Sequence, residues 1–176
     1  MTAVVMIFLV FVAGVAQSTI PGLAPAGHAR APLLLGVVLY YALLRGQGSA
    51  LLAALLAGMF QDGLSLVPFG YSSFCFFVVV LVVVLFREAV FQESVVTTAF
   101  FGGVSAVMVG IGLHILLWKE GLVHPGAARI AVRMAGDAVL GMISTPLVVA
   151  IAIRVDRLVG NVMPRKEDVS GDFRYV

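Results

Sequence analysis

Charge is the property that this sequence has least of. Asp, Glu, Lys and Arg together make up 11% of its 176 residues, whereas a typical soluble domain has about 25%. Hydrophobic residues make up 61%, and the mean hydropathy is +1.11. Because so few charges cannot cover a water-exposed surface, the composition predicts an integral membrane protein. The net charge of only +2 also argues against a nucleic-acid partner.

Cysteines and catalytic motifs are scarce as well. The single cysteine, Cys75, excludes an internal disulfide, and its apolar neighbours predict that it packs in the core or faces lipid. The sequence contains no GxSxG motif, no phosphate-binding Walker loop and no HExxH pair. We therefore expect no catalytic residue, no metal site and no cofactor.

Six apolar segments follow one another, separated by short polar or Pro/Gly-rich stretches. Residues 3–20 can cross a bilayer core of about 30 Å as a helix. A cleaved signal peptide is the alternative for this segment, but no Lys or Arg precedes it. The other five helices are predicted near 32–44, 50–62, 71–86, 94–118 and 130–155. The predicted fold is all-α and polytopic, with a six-helix transmembrane domain (1–158) and a polar cytoplasmic tail (159–176).

Lys and Arg are distributed unevenly between the two predicted sides of the membrane. Six spans put both termini on one side, with the loops 21–32 and 122–128 on the other. Seven cations fall on the side of the termini: Arg45, Arg87, Arg154, Arg157, Arg165, Lys166 and Arg174. Four fall on the opposite side: Arg30, Lys119, Arg129 and Arg133. Because cytoplasmic loops are enriched in Lys and Arg, both termini are predicted to be cytoplasmic.

Small residues recur every four positions along the third, fifth and sixth predicted helices. We expect the other helices to be arranged around the third helix, which has Ala50, Ala54 and Gly58 before Asp62. The fifth helix has Gly102, Ala106 and Gly110 before His114. The sixth helix has Arg133 and Asp137 before Gly141 and Thr145. Such stripes allow helices to approach closely in membranes. Two interpretations remain open: the stripes pack these helices together, or they seat a partner helix.

Four ionisable residues are predicted to lie at a similar depth near the outer face: Asp62, His114, Arg133 and Asp137. A carboxylate at membrane depth costs at least about 2.5 kcal/mol unless it has a partner or faces water. In one interpretation these residues satisfy one another within the packed helices. In the other they form an outward-open polar pocket. A metal site from Asp62, His114 and Asp137 lacks supporting motif spacing, and we expect no matching polar group in the inner half.

Two stretches resemble the MreD family of bacterial rod shape-determining membrane proteins. Gly58-Met-Phe-Gln-Asp62, followed by Pro68-Phe-Gly70, is similar to its G-x-x-x-D signature with a downstream P-x-G turn. Ser144-Thr-Pro-Leu, followed by an apolar run and Arg154-Val-Asp-Arg157, resembles the family's last helix. The resemblance covers almost the whole chain. Asp137 departs from it, because the family pattern leads us to expect a neutral polar residue such as Asn.

The resemblance implies a non-enzymatic inner-membrane subunit of the cell-elongation complex. Such proteins associate with MreC, a single-pass protein, and through it with the RodA glycosyltransferase, its transpeptidase partner and the MreB filament. The family is also similar in fold to the substrate-binding subunits of energy-coupling-factor vitamin transporters. A solute-binding subunit is therefore the alternative function. It would need an Ala-x-x-x-Ala face on the first helix, which Ala3, Ala13 and Ala16 do not provide.

Overall fold

The computed structural model describes residues 2–22, 29–65, 68–87, 94–121 and 127–160. These ranges contain six helices: α1 (Thr2–Thr19), α2 (Leu33–Leu44), α3 (Gln47–Leu64), α4 (Tyr71–Phe86), α5 (Val95–Lys119) and α6 (Ala127–Leu158). The predicted all-α fold with six helices in this order is confirmed. Most of the predicted loop 122–128, and the predicted tail beyond residue 160, lie outside the described residues.

Helix lengths differ widely along the chain. Two stretches, Val95–Lys119 in α5 and Ile130–Leu158 in α6, are long and apolar enough to cross a membrane, while α1, α2 and α4 are shorter apolar helices. α6 is longer at both ends than predicted, and it continues through Pro146. The two long helices support a membrane protein by length and composition.

Consecutive helices run antiparallel, so the chain alternates between two ends of the bundle. At the Asp62 end, the backbone N–H of Leu34 donates to Gln17 (3.1 Å), which joins the start of α2 to the end of α1. At the same end the Tyr71 hydroxyl of α4 contacts Glu120, just after α5 (3.1 Å). At the Asp156 end, Arg45 after α2 pairs with Asp156 of α6. The two ends are named in this way below.

α2 is the central helix, whereas α3 was predicted to be the one around which the others are arranged. Residues Leu34–Leu43 are all buried, and α2 contacts each of the other five helices. A helix that is apolar on all sides can face either lipid or protein, so its composition does not distinguish the two. Gly36 brings α6 close, since a β-carbon at this position would lie 3.0 Å from that of Val148. α2 therefore fixes the positions of the other helices.

Glycines bring two pairs of helices into backbone contact. A β-carbon at Gly58 in α3 would collide with the backbone of Ser73 in α4, and one at Gly102 in α5 would collide with Thr145 in α6. Because glycine has no side chain, the helices of each pair approach closely and gain van der Waals contact, which stabilises helix pairs in membranes where the hydrophobic effect does not. α3 is thereby held against α4, and α5 against α6.

Candidate functional site

Asp62 lies at the end of α3 and is almost completely buried, with 1% of its surface exposed. Its Oδ2 accepts a hydrogen bond from the backbone N–H of Gly70 (2.7 Å), and its Oδ1 accepts one from Ser72 (3.1 Å). Gly70 precedes α4 in the left-handed conformation, with φ of 99°, and has no side chain to cap that helix. Asp62 supplies the missing cap, and its charge lies at the positive end of the α4 dipole.

The other three residues of the predicted outer pocket lie on α5 and α6. Arg133 and Asp137 form a long ion pair of 3.9 Å. Asp137 also accepts a hydrogen bond from the backbone N–H of Arg30 (3.3 Å). His114 is half-buried on α5. The hydrogen bonds and ion pairs of the described residues do not join Asp62 to the other three, so the structure does not bring the four together as one bonded cluster.

The predicted stripe residues lie between helices of this chain. Ala54 and Gly58 are buried on α3, and Gly102 and Ala106 are buried on α5. A β-carbon at Gly141 in α6 would lie 2.9 Å from that of Ala106. Gly110 is half-buried. These positions support the interpretation that the stripes pack the helices against each other.

A second polar network, at the Asp156 end, links three helices. Asp156 is 3% exposed, and its Oδ2 accepts hydrogen bonds from the hydroxyl of Tyr40 and from Nη2 of Arg45, the latter at 2.7 Å. Nη1 of Arg87, just after α4, donates to the backbone carbonyl of Arg45 (2.9 Å) and lies 3.5 Å from that of Ala42. The network Tyr40–Arg45–Arg87–Asp156 therefore ties α2, α4 and α6 together.

We expected no polar group to match Asp62 from the opposite half of the bundle, and the network at the Asp156 end shows that this was wrong. Arg45 and Asp156 are separated by 111 positions, and no motif in the sequence pairs them. The spacing in α6 offered one signal, because Thr145, Val149, Ala152 and Asp156 follow one another at four, three and four residues. All four are buried in the structure. This is the pattern of one helical face, and it places the acid on the inward side.

The two buried carboxylates, Asp62 and Asp156, both have structural partners. Asp62 is held by backbone N–H groups, and Asp156 by an arginine and a tyrosine hydroxyl. Within the described ranges, no group of three His, Cys, Asp or Glu residues is placed to hold a metal ion. The geometry of both sites is suited to fixing helices relative to one another.

The sequence matches the family of the rod shape-determining protein MreD over residues 1–160. The chain belongs to the MreD family. No curated protein and no solved structure matches it. Membership of the MreD family makes this chain a membrane protein with a role in rod shape determination. The stretch Gly58 to Asp62, in which we noted a resemblance to the family, coincides with two structural features, the close contact between α3 and α4 and the cap of α4.

Proposed function

We propose that this chain is a non-enzymatic inner-membrane subunit of the bacterial cell-elongation complex. It binds MreC, and through MreC it helps to couple the MreB filament to peptidoglycan synthesis by RodA and its transpeptidase, so that rod shape is maintained. The match to the MreD family over residues 1–160 carries this proposal. The two polar sites support it, because each serves to hold helices in place.

We further propose that all six helices lie in the membrane and that both termini are cytoplasmic. The antiparallel order of the helices supports this topology, together with the excess of Lys and Arg that the sequence has on the predicted side of the termini. α2, with 12 residues, is too short to cross a bilayer core of about 30 Å by itself. Its burial among five helices removes that requirement, because its ends contact protein.

An apolar groove between α4 and α5 is our candidate surface for the transmembrane helix of MreC. The groove has a volume of about 490 Å³, and its lining includes Phe86, Val96, Phe100 and Val104, all of them exposed. The stripe residues Gly58 and Ala106 are less suitable, because they already pack within the chain. In a membrane, a partner helix would gain stability by filling such a groove with side chains.

Co-purification with MreC tests the proposal. We expect the wild-type chain, extracted from native membranes in mild detergent, to retain MreC, and Phe100→Ala to retain much less of it. Ile143→Ala is the matched control, since Ile143 is 67% exposed on α6 and does not line the groove. Failure of the wild-type chain to retain MreC would overturn the proposed function. Equal retention by the wild type and Phe100→Ala would overturn only the groove as its site.

A solute-binding function receives less support from the structure. The Asp62 carboxylate, one of the two anionic groups of the predicted outer pocket, is buried and already accepts two backbone hydrogen bonds. A solute would have to displace the cap of α4 to reach it.

A further inference from the structure

The last turn of α6 separates its charges onto two sides. In the sequence Arg154-Val-Asp-Arg157, Asp156 is close enough to both arginines to neutralise their charge. In the structure Asp156 turns inward and is 3% exposed, where it pairs with Arg45 across the bundle. Arg154 and Arg157 are both exposed. The inward pairing of Asp156 therefore leaves two cations on the outer surface of this turn.

Neither arginine has an ion-pair partner among the residues that the structure describes. Their exposed neighbours along α6 are apolar: Ile151 is 48% exposed and Leu158 is 87% exposed. The two guanidinium groups thus lie where an exposed apolar helix surface reaches its end, at the Asp156 end of the bundle. In a membrane-spanning helix, this is the level of the lipid headgroups.

The spacing of the two arginines suits a shared phosphate. Residues three apart on a helix are neighbours, with β-carbons about 5–6 Å apart. Guanidinium groups bind phosphate oxygens in a bidentate manner. We propose that Arg154 and Arg157 form a binding site for the phosphate group of an anionic phospholipid at the Asp156 end. This inference rests on the membrane embedding described under the proposed function, but not on the binding of MreC.

A titration with defined lipids tests this site. The purified full-length chain in neutral detergent is titrated with dioleoylphosphatidylglycerol, and thermal unfolding is followed at each concentration. We expect a saturable rise in Tm for the wild type. Arg154→Gln/Arg157→Gln is expected to raise the apparent Kd about 25-fold, since each basic residue near anionic lipid contributes roughly fivefold. Arg154→Lys/Arg157→Lys keeps the charges, and its apparent Kd is expected to lie between those of the wild type and the double Gln variant.

Three controls test whether binding is specific to this pair of arginines and to anionic phospholipid. Lys119→Gln/Arg133→Gln removes two cations from the Asp62 end and should leave the apparent Kd unchanged. Dioleoylphosphatidylcholine and inorganic phosphate should each give much smaller shifts in Tm than the anionic lipid. An equal shift with either one would overturn a site for anionic phospholipid.

The arginines also lie near the negative end of the α6 dipole, so a purely structural role is the alternative. In that case the double Gln variant would unfold at a lower Tm without lipid but bind phosphatidylglycerol as tightly as the wild type. That result would overturn the proposal. Retention of MreC by the same variant is measured separately, so failure of the lipid site is distinguishable from failure of the proposed function.

Discussion

At the scale of single residues, the two buried carboxylates are satisfied by different chemistry. Asp62 accepts hydrogen bonds from backbone N–H groups at the start of α4. Asp156 accepts hydrogen bonds from the side chain of Arg45 and the hydroxyl of Tyr40. A buried carboxylate without partners would be strongly unfavourable in an apolar bundle. Removing either side chain should therefore destabilise the fold through the partners that it leaves behind.

Asp62→Ala is expected to lower the free energy of unfolding by about 3 kcal/mol. The substitution leaves two buried or partly buried N–H donors without an acceptor and removes a charge from the N-terminus of α4. Asp62→Asn, which keeps one acceptor oxygen, should cost less. Thermal unfolding in detergent measures both variants, with Asp137→Ala as the control because Asp137 is only half-buried. Equal effects of Asp62→Ala and Asp137→Ala would contradict the capping role.

Asp156→Ala should cost about 3–5 kcal/mol, because it leaves the mostly buried Arg45 without its carboxylate. Arg45→Met and the double variant complete a mutant cycle. We expect the double variant to be more stable than the sum of the two single losses predicts. Denaturation in detergent gives the four values, and Arg154→Ala serves as an exposed control. Additive losses would show that the Arg45–Asp156 pair contributes little.

At the scale of helices, close contact between α3 and α4 depends on Gly58. Gly58→Ala is expected to destabilise the protein by about 1–3 kcal/mol, because the added methyl group meets the backbone of Ser73, which cannot rotate away. Gly48→Ala in the same helix has open space around it, and should change stability by less than about 1 kcal/mol. Thermal unfolding measures the stability of Gly58→Ala and Gly48→Ala, and the difference between them reports the effect of the close contact between α3 and α4. Similar stabilities would mean that α3 and α4 can separate without loss.

The number and order of the helices were predictable from the sequence, but the pairs of helices that contact each other were less so. The apolar run and the Pro/Gly turn before it gave the limits of α4 as 71–86, in agreement with the structure. The small-residue stripes indicated close packing, although nothing in the sequence paired α3 with α4 or α5 with α6. The partner of Asp62 was also hidden, because backbone N–H groups are present at every non-proline position and leave no mark in the sequence. α2 was missed as the centre because lipid-facing and protein-facing apolar helices have the same composition.

At the scale of the whole molecule, polar contacts hold the bundle at both ends, and apolar contacts fill its middle. The Asp62 end is held by the α4 cap and by the contacts of Tyr71 and Asp137. The Asp156 end is held by the network that links α2, α4 and α6. An arrangement fixed at both ends keeps its outer surfaces constant. The proposed assembly function needs this property, because a partner helix would bind to such a surface.

Orientation is the last prediction, and it follows from the cations of the two ends. Seven Lys and Arg residues fall on the predicted side of the termini against four on the other side, so the Asp156 end should face the cytoplasm. On a Cys75→Ser background, Gly126→Cys should react with a membrane-impermeant thiol reagent in intact spheroplasts, and Val90→Cys should react only after lysis. Cys75→Ser alone is the control for background labelling. Labelling of Val90→Cys but not of Gly126→Cys in intact spheroplasts would reverse the orientation. It would also place Arg154 and Arg157 in the outer leaflet, while the lipid titration in detergent would remain valid.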